Sequence, residues 1–342
     1  MKRSLKFVSL LLVMVMVLGA CATTSEPAPA ASEGEGASAT EPIVMKLGHI
    51  AAPDTAYDNF AHEFKRLVEE RSNGKYEIDI YPAGQLGVDR ELMESLQVGN
   101  VEFTVITASD INQFVPAAAV QDLPYLFLDW GHVEKFLASD LSNEFYALSD
   151  EVGMTTLAFM PRGFRHLTSN VKPVYTPADL ENLKIRVAES EIYIDTFKAL
   201  GANTQAMAWS EVFTALQQGT IDAHENTIVT TRDYKINEVQ KYVSETGHFF
   251  AFAALQMNKT LLDGMSAEDQ ELFRTAGLEA AVALGQVQKD DEAKAKAELE
   301  SLGMEFNAVN DPKEFEALVK PVYDKFLEDN DGYFLEAIKA LY

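Results

Sequence analysis

Two apolar periods alternate along the first third of the chain, and that alternation narrows the fold more than any other feature. Met45-Lys46-Leu47-Gly48-His49 reads as a strand near the point, about Val44, where the fold begins. Residues 56–71 then repeat apolar groups at helical spacing, with Phe60, Phe64, Leu67 and Val68 on one face. Tyr76-Glu77-Ile78-Asp79-Ile80-Tyr81 returns to a period of two, as a strand does. A loop at 82–87, a helix from Asp89 to about Val98 and a third strand at Phe103–Thr107 follow. Strands that alternate with crossover helices pair in parallel, so the rhythm predicts a largely parallel sheet.

Farther on, 132–148 is predicted helical and Met154–Met160 a strand. The apolar run at 247–257 is predicted to be a second strand returning toward the first lobe. Ser266 with Asp269 forms a capping pattern that opens a helix reaching about Ser301, with Gly277 and Gly285 expected to weaken it. A last strand is expected at Met304–Val309, and helix over 311–340.

The chemistry concentrates in residues 163–226. Thr176, Pro177 and Asp179 form a helix-opening pattern. Leu183, Ile185 and Val187 alternate with Lys184 and Arg186, which places those two cations on one strand face. Ser210 is expected to cap a short helix that turns Val212, Phe213, Ala215 and Leu216 inward and stops at Gly219. The result is two arginines, an asparagine and a tryptophan on or beside strand ends, where open α/β sheets bind ligands.

A chain of 342 residues is long enough for two lobes with their own cores. Its net charge of −25 excludes nucleic acid as a partner, since that needs basic patches. The same charge repels an anion at long range, so an anion site here has to work through local arginines. Cys21 is the sole cysteine, which leaves no internal disulfide, no cysteine-based metal site and no cysteine nucleophile. The six histidines show no metal-binding pairing. The sequence has no Gly-x-Ser-x-Gly elbow, His-Glu-x-x-His pair or phosphate loop. Asp222 and Glu225 are paired acids of the kind that hydrolyse glycosides, so an extracytoplasmic hydrolase stays a rival reading.

Residues 1–20 have the form of a signal segment: Lys2, Arg3 and Lys6 precede an apolar run from Phe7 to Leu18 too short to span a bilayer. Leu18-Gly19-Ala20-Cys21 resembles a lipobox, which makes Cys21 the lipidation site. Residues 21–42 are rich in Ala, Ser, Glu, Pro and Gly and read as a tether with a reach of roughly 25 Å.

From about Val44 to its end the chain resembles the solute-binding proteins of tripartite ATP-independent periplasmic (TRAP) transporters. The resemblance rests on Gly163-Phe164-Arg165-His166-Leu167-Thr168-Ser169-Asn170, Lys184-Ile185-Arg186-Val187, Trp209-Ser210-Glu211-Val212-Phe213, Ala215-Leu216-Gln217-Gln218-Gly219 and Glu225-Asn226, in the family's order and spacing. It implies an α/β, two-lobed periplasmic-binding fold, with the ligand between the lobes and a long helix linking them. Lobe I would comprise 43–161 and 251–290, and lobe II 162–250 and 291–342. Together with the lipobox at Cys21, it implies a lipid-anchored receptor with no catalysis and no cofactor. Such a receptor captures an organic acid, a C4-dicarboxylate or a sugar acid such as a uronate, and passes it to a small and a large membrane subunit.

Arg186 matches the arginine that grips the ligand carboxylate, and Arg165 a second ligand arginine. Asn226 matches a ligand asparagine and Trp209 a pocket aromatic. For Asn226 a cap or turn is the competing role, and for Trp209 core packing. Arg162 is expected to be structural. Glu211 either orients the arginines or favours its helix N-terminus. Asp89 falls where sialic-acid-binding members place a ligand-contacting acid, whereas Thr107 and Asp110 replace their glutamate and arginine, which argues against sialic acid. His49 and Asp54 either line the cleft or shape a turn. Within the binding class, a receptor for a sensor or for another transporter type is the alternative.

Overall fold

The computed structural model describes residues 41–342, so Cys21, the signal segment and nearly all of the tether lie outside the described residues. The βαβαβ opening is present as β1 (Ile43–His49), α1 (Ala56–Arg71), β2 (Tyr76–Tyr81), α2 (Asp89–Gln97) and β3 (Phe103–Thr107). β1 pairs in parallel with both β2 and β3. α1 buries the face that its periodicity marked, Phe60, Phe64, Leu67 and Val68.

The helix expected at 132–148 is broken into α3 (Trp130–Leu137) and α4 (Asp140–Tyr146). Asp129 caps α3 by accepting the His132 N–H at 2.8 Å. Between the helices the Ser139 hydroxyl donates to the Phe136 carbonyl at 2.7 Å, taking an acceptor that a continuous helix would use.

Two long strands run through the centre, β4 (Met154–Ser169) and, later in the chain, the antiparallel partner that pairs with it. Between them come β5 (Lys184–Val187), α5 (Glu191–Ala199), β6 (Asn203–Ala206), α6 (Trp209–Gln218), β7 (Ala223–Thr227) and α7 (Ile228–Asp233). The partner strand is β8 (Tyr242–Asn258). Both central strands exceed the apolar runs that mark them, because Arg165 and His166 in β4 and Ser244 and Thr246 in the later strand continue them as buried polar residues. Thr176 and Asp179 do form a capping pair, but the turn they open is a single 3-10 turn at Pro177–Leu180. α6 begins at Trp209 behind Ala208, so Ser210 lies inside the helix and does not cap it; Gly219 ends it at φ 68°.

The chain closes with α8 (Lys259–Asp263), α9 (Ala267–Ser301), β9 (Glu305–Ala308), α10 (Pro312–Leu318), α11 (Lys320–Asp329) and α12 (Tyr333–Lys339). The strands form one sheet in the order β2-β1-β3-β8-β4-β7-β5-β6, with β9 on β8. Parallel flanks thus join an antiparallel centre. The β4–β8 ladder shifts register at Thr156/Ala158, Pro161/Gly163 and Arg165/Leu167. Such irregularities bend a strand and raise its twist.

α9 opens on Ser266, which accepts the Asp269 N–H at 3.2 Å. Its glycines serve packing rather than weakening it. A Cβ on Gly277 would lie 3.1 Å from Leu255, and one on Gly285 2.5 Å from Pro161. Only glycine lets the helix lie this close to β4 and β8. Its first half, through Phe273, Ala276 and Ala280, joins the core of α1, β1, β2 and β3. Its second half packs Ala295 and Leu299 against Ile228, Val229 and Val243. On the opposite face of the sheet the largest apolar cluster runs from Met93 and Ile106 to Ile185, Tyr193 and Phe326. No helix among the described residues is long and apolar enough to cross a membrane.

Candidate functional site

A cavity of about 310 Å³ opens between the two flanks of the sheet. One side comes from α1, α2 and the segment after β3, through Tyr57, Asp89, Thr107, Asp110 and Gln113. The other comes from β5, β7 and the starts of α6 and α7, through Arg186, Trp209, Asn226 and Thr230. Arg162 and Arg165 reach it from β4. The first residues of α1, α2 and α6 all line it, so three helix N-termini add positive potential.

The three arginines are held differently. Arg186 donates from Nε and Nη2 to the Met207 carbonyl at 3.0 and 2.8 Å and lies 5.7 Å from the Trp209 ring. It has no carboxylate partner among the described residues, and its Nη1 donates to none of them. Burial, followed by the competing effects of Glu225 and Arg165, pulls its pKa down to about 10. Arg165 forms a two-pronged ion pair with Glu225, with Nη2 2.8 Å from Oε1, and stacks 5.3 Å from Tyr193. Burial works against both charges of this pair. The attraction between them overcomes it, raising the pKa of Arg165 and lowering that of Glu225 to about 2, with help from His248. Arg162, expected to be structural, also reaches the cavity. It donates to the Tyr57 hydroxyl at 3.0 Å and the Thr230 hydroxyl at 2.6 Å, two neutral groups.

Glu225 therefore orients an arginine, whereas Glu211, given that role as one of two readings, is exposed on α6. The paired-acid reading of Asp222 and Glu225 also loses its footing. Glu225 is fully buried under Arg165, and Asp222 accepts the Lys184 N–H at 3.0 Å. Trp209 lines the cavity half-buried, edge-on to Tyr234 with centroids 4.9 Å apart. Asn226 accepts the N–H of Thr227 at 2.9 Å through Oδ1. The helix-cap role considered for it belongs to Thr227, whose hydroxyl accepts the Thr230 N–H at 3.3 Å. The amide nitrogen of Asn226 keeps its two donors.

Across the cavity, Thr107 shares a 2.9 Å hydrogen bond with Tyr57. Asp89 is buried, and burial first, then Asp110, raises its pKa well above the usual carboxylate range. Burial raises Asp110 as well. Two of the sequence candidates do not reach the cavity. His49 is fully buried with Nε2 3.2 Å from Asp58, because its strand position points it into the α1 interface; Ile50 and Ala51 line the cavity in its place. Asp54 sits in a turn at φ 64°, its N–H donating to Asp58 at 2.9 Å. No group of side chains able to hold a metal ion occurs among the described residues.

Residues 47–330 match the family described as bacterial extracellular solute-binding protein, family 7. A C4-dicarboxylate-binding periplasmic protein from Rhodobacter capsulatus is 32% identical over 88% of this chain and 91% of its own length. A TRAP periplasmic solute-binding protein from Polaromonas sp. JS666, solved bound to D-erythronate, is 32% identical with a TM-score of 0.83, covering 87% of this chain and 98% of that one. Another from Bradyrhizobium, in complex with α/β-D-galacturonate, is 29% identical with a TM-score of 0.84, covering 87% of this chain and 100% of that one.

Proposed function

The chain belongs to family 7 of the bacterial extracellular solute-binding proteins, the receptors of TRAP transporters, and from that premise we propose that it captures an organic acid through an arginine–carboxylate clamp and delivers it to a membrane permease. One observation carries the reading. Arg186 is 4% exposed, faces the cavity and has no carboxylate partner among the described residues. A buried unpaired guanidinium is costly, and a ligand carboxylate meets that need with charge-assisted hydrogen bonds. Arg165, fixed by Glu225, presents a second guanidinium edge, Asn226 adds amide donors, and Trp209 packs against the carbon skeleton.

The two lobes, 43–161 with 251–290 and 162–250 with 291–342, close over the ligand. Their boundaries cross β4 beside the Pro161/Gly163 register shift, cross β8 between Phe250 and Ala251, and cross α9 beyond Gly285. The receptor acts outside the cytoplasm. Cys21 carries a lipid that holds it to a bacterial membrane, and residues 22–42 tether the receptor to that lipid. The small and large membrane subunits take the ligand over.

The test is a calorimetric titration of wild type and Arg186→Ala with dicarboxylates, aldonates and uronates. The clamp requires at least one acid to bind wild type and to lose 100-fold or more in the variant. Equal binding by the two proteins would overturn the assignment of Arg186.

A further inference from the structure

Facing the arginines is a carboxyl pair that the clamp does not use. Asp89 opens α2 and Asp110 follows β3, and both line the cavity beside Thr107 and Gln113. Asp89 is 8% exposed, and its Oδ1 has no hydrogen-bond partner among the described residues. Asp110 accepts from Gln113 at 3.2 Å, and no cation among the described residues forms an ion pair with either acid. Burial disfavours the ionised form of both carboxyls, and for Asp89 the neighbouring Asp110 adds to that effect.

The other charges of the lining can be counted. Arg165 is neutralised by Glu225, and Arg90 by Glu94. Asp233 shares Arg232 with Asp291, and Glu189 is exposed at the rim. Arg162 and Arg186 remain without carboxylate partners. Arg186 keeps a donor nitrogen that bonds to none of the described residues, which leaves a place for one anionic group. Arg162 already bonds Tyr57 and Thr230, so that group belongs at Arg186. A second ligand carboxylate would bring only acceptors to an acid wall and would add a desolvated like charge, whereas a ligand hydroxyl donates to it.

We propose that the cavity selects acids with one carboxylate and a hydroxylated tail, aldonates or uronates over C4-dicarboxylates, with the tail hydroxyls donating to Asp89 and Asp110. The proposal rests on the clamp at Arg186 and adds Asp89 and Asp110 as the residues that set specificity.

The experiment titrates the full chain with matched pairs: D-erythronate against succinate, and D-galacturonate against galactarate, which carries a second terminal carboxylate. The monoacid of at least one pair should bind 100-fold or more tighter than its diacid. Asp89→Asn should narrow that ratio at least 10-fold, by weakening the monoacid and sparing the diacid. Asp110→Asn should do the same, which guards against one variant failing to fold. A diacid that binds as tightly as its monoacid overturns the selection while leaving the carboxylate receptor standing. An unchanged ratio in both folded variants overturns the role of the acids. Absence of binding by every acid overturns the clamp and the selection together.

Discussion

The cavity's two walls use the same physical device, a buried charge, with opposite solutions. On the β4–β7 side the charges are guanidiniums, which cannot give up a proton, so each needs a partner or a ligand. Arg165 has Glu225, Arg162 has two hydroxyls, and Arg186 has a carbonyl and an aromatic face. On the α2–β3 side the charges are carboxyls, which can be protonated, and burial pushes Asp89 and Asp110 that way. The first wall is a fixed cationic frame with one unfilled place. The second has acids that burial pushes toward protonation. Affinity and rigidity should therefore reside in the first, and discrimination among acids in the second.

The largest expected effect separates Arg165 from Arg186 within the cationic wall. Arg165→Ala leaves Glu225 buried without its arginine, with only His248 beside it, and should cost about 3–5 kcal/mol of folding stability, read by urea denaturation. Next comes the group behind that wall. Asp122 accepts from Asn112 at 2.7 Å and faces Tyr193, Arg165 and Asp110, and burial pushes its pKa up to about 7. The folded chain thus keeps a proton that the unfolded chain loses above pH 4. Stability from this group falls as pH rises from about 4 to 7, by at most about 4 kcal/mol. Asp122→Asn should match wild type near pH 4 and exceed it at pH 8; equal denaturation midpoints at pH 8 would remove Asp122 from the account.

Arg186→Ala should lose at least 100-fold in affinity, about 2.7 kcal/mol, while unfolding near the wild-type midpoint, because no buried carboxylate is stranded. A loss of stability as large as that of Arg165→Ala would erase the contrast between the two arginines. The smallest effect concerns the junction of the walls. Gly285→Ala gains about 1 kcal/mol of helix propensity but places a Cβ 2.5 Å from Pro161, an overpacking cost of about 1–3 kcal/mol. A net loss of about 1 kcal/mol in thermal unfolding is expected. A stabilised variant would show that α9 shifts freely over β4.

Legibility followed how local each cause was. α1 could be read to its ends because its apolar spacing and its breaks are contained in sixteen residues. The long helix α9 was readable from Ser266 and Asp269, yet the meaning of its glycines was not, since Pro161 and Leu255 lie far away in the chain. Arg186, Arg165, Trp209 and Asn226 do meet at one cavity. Arg162 lies there too, although no family motif marks it. The pairing of Glu225 is not legible locally, because its partners, Arg165 and His248, come from other strands. His49 looked like a cleft residue at a strand end, but strand alternation turned it inward onto Asp58.

The sequence by itself determined the strand and helix periods, the one-cysteine N-terminus and the motifs that carry the family. These depend on neighbours within a few residues, where backbone geometry and capping act. Tertiary structure alone decided which arginine is neutralised, which acids burial pushes toward protonation and which glycines admit a helix. Those outcomes depend on distances between residues tens to hundreds of positions apart, and on burial, which makes each unpaired charge costly enough to choose its partner.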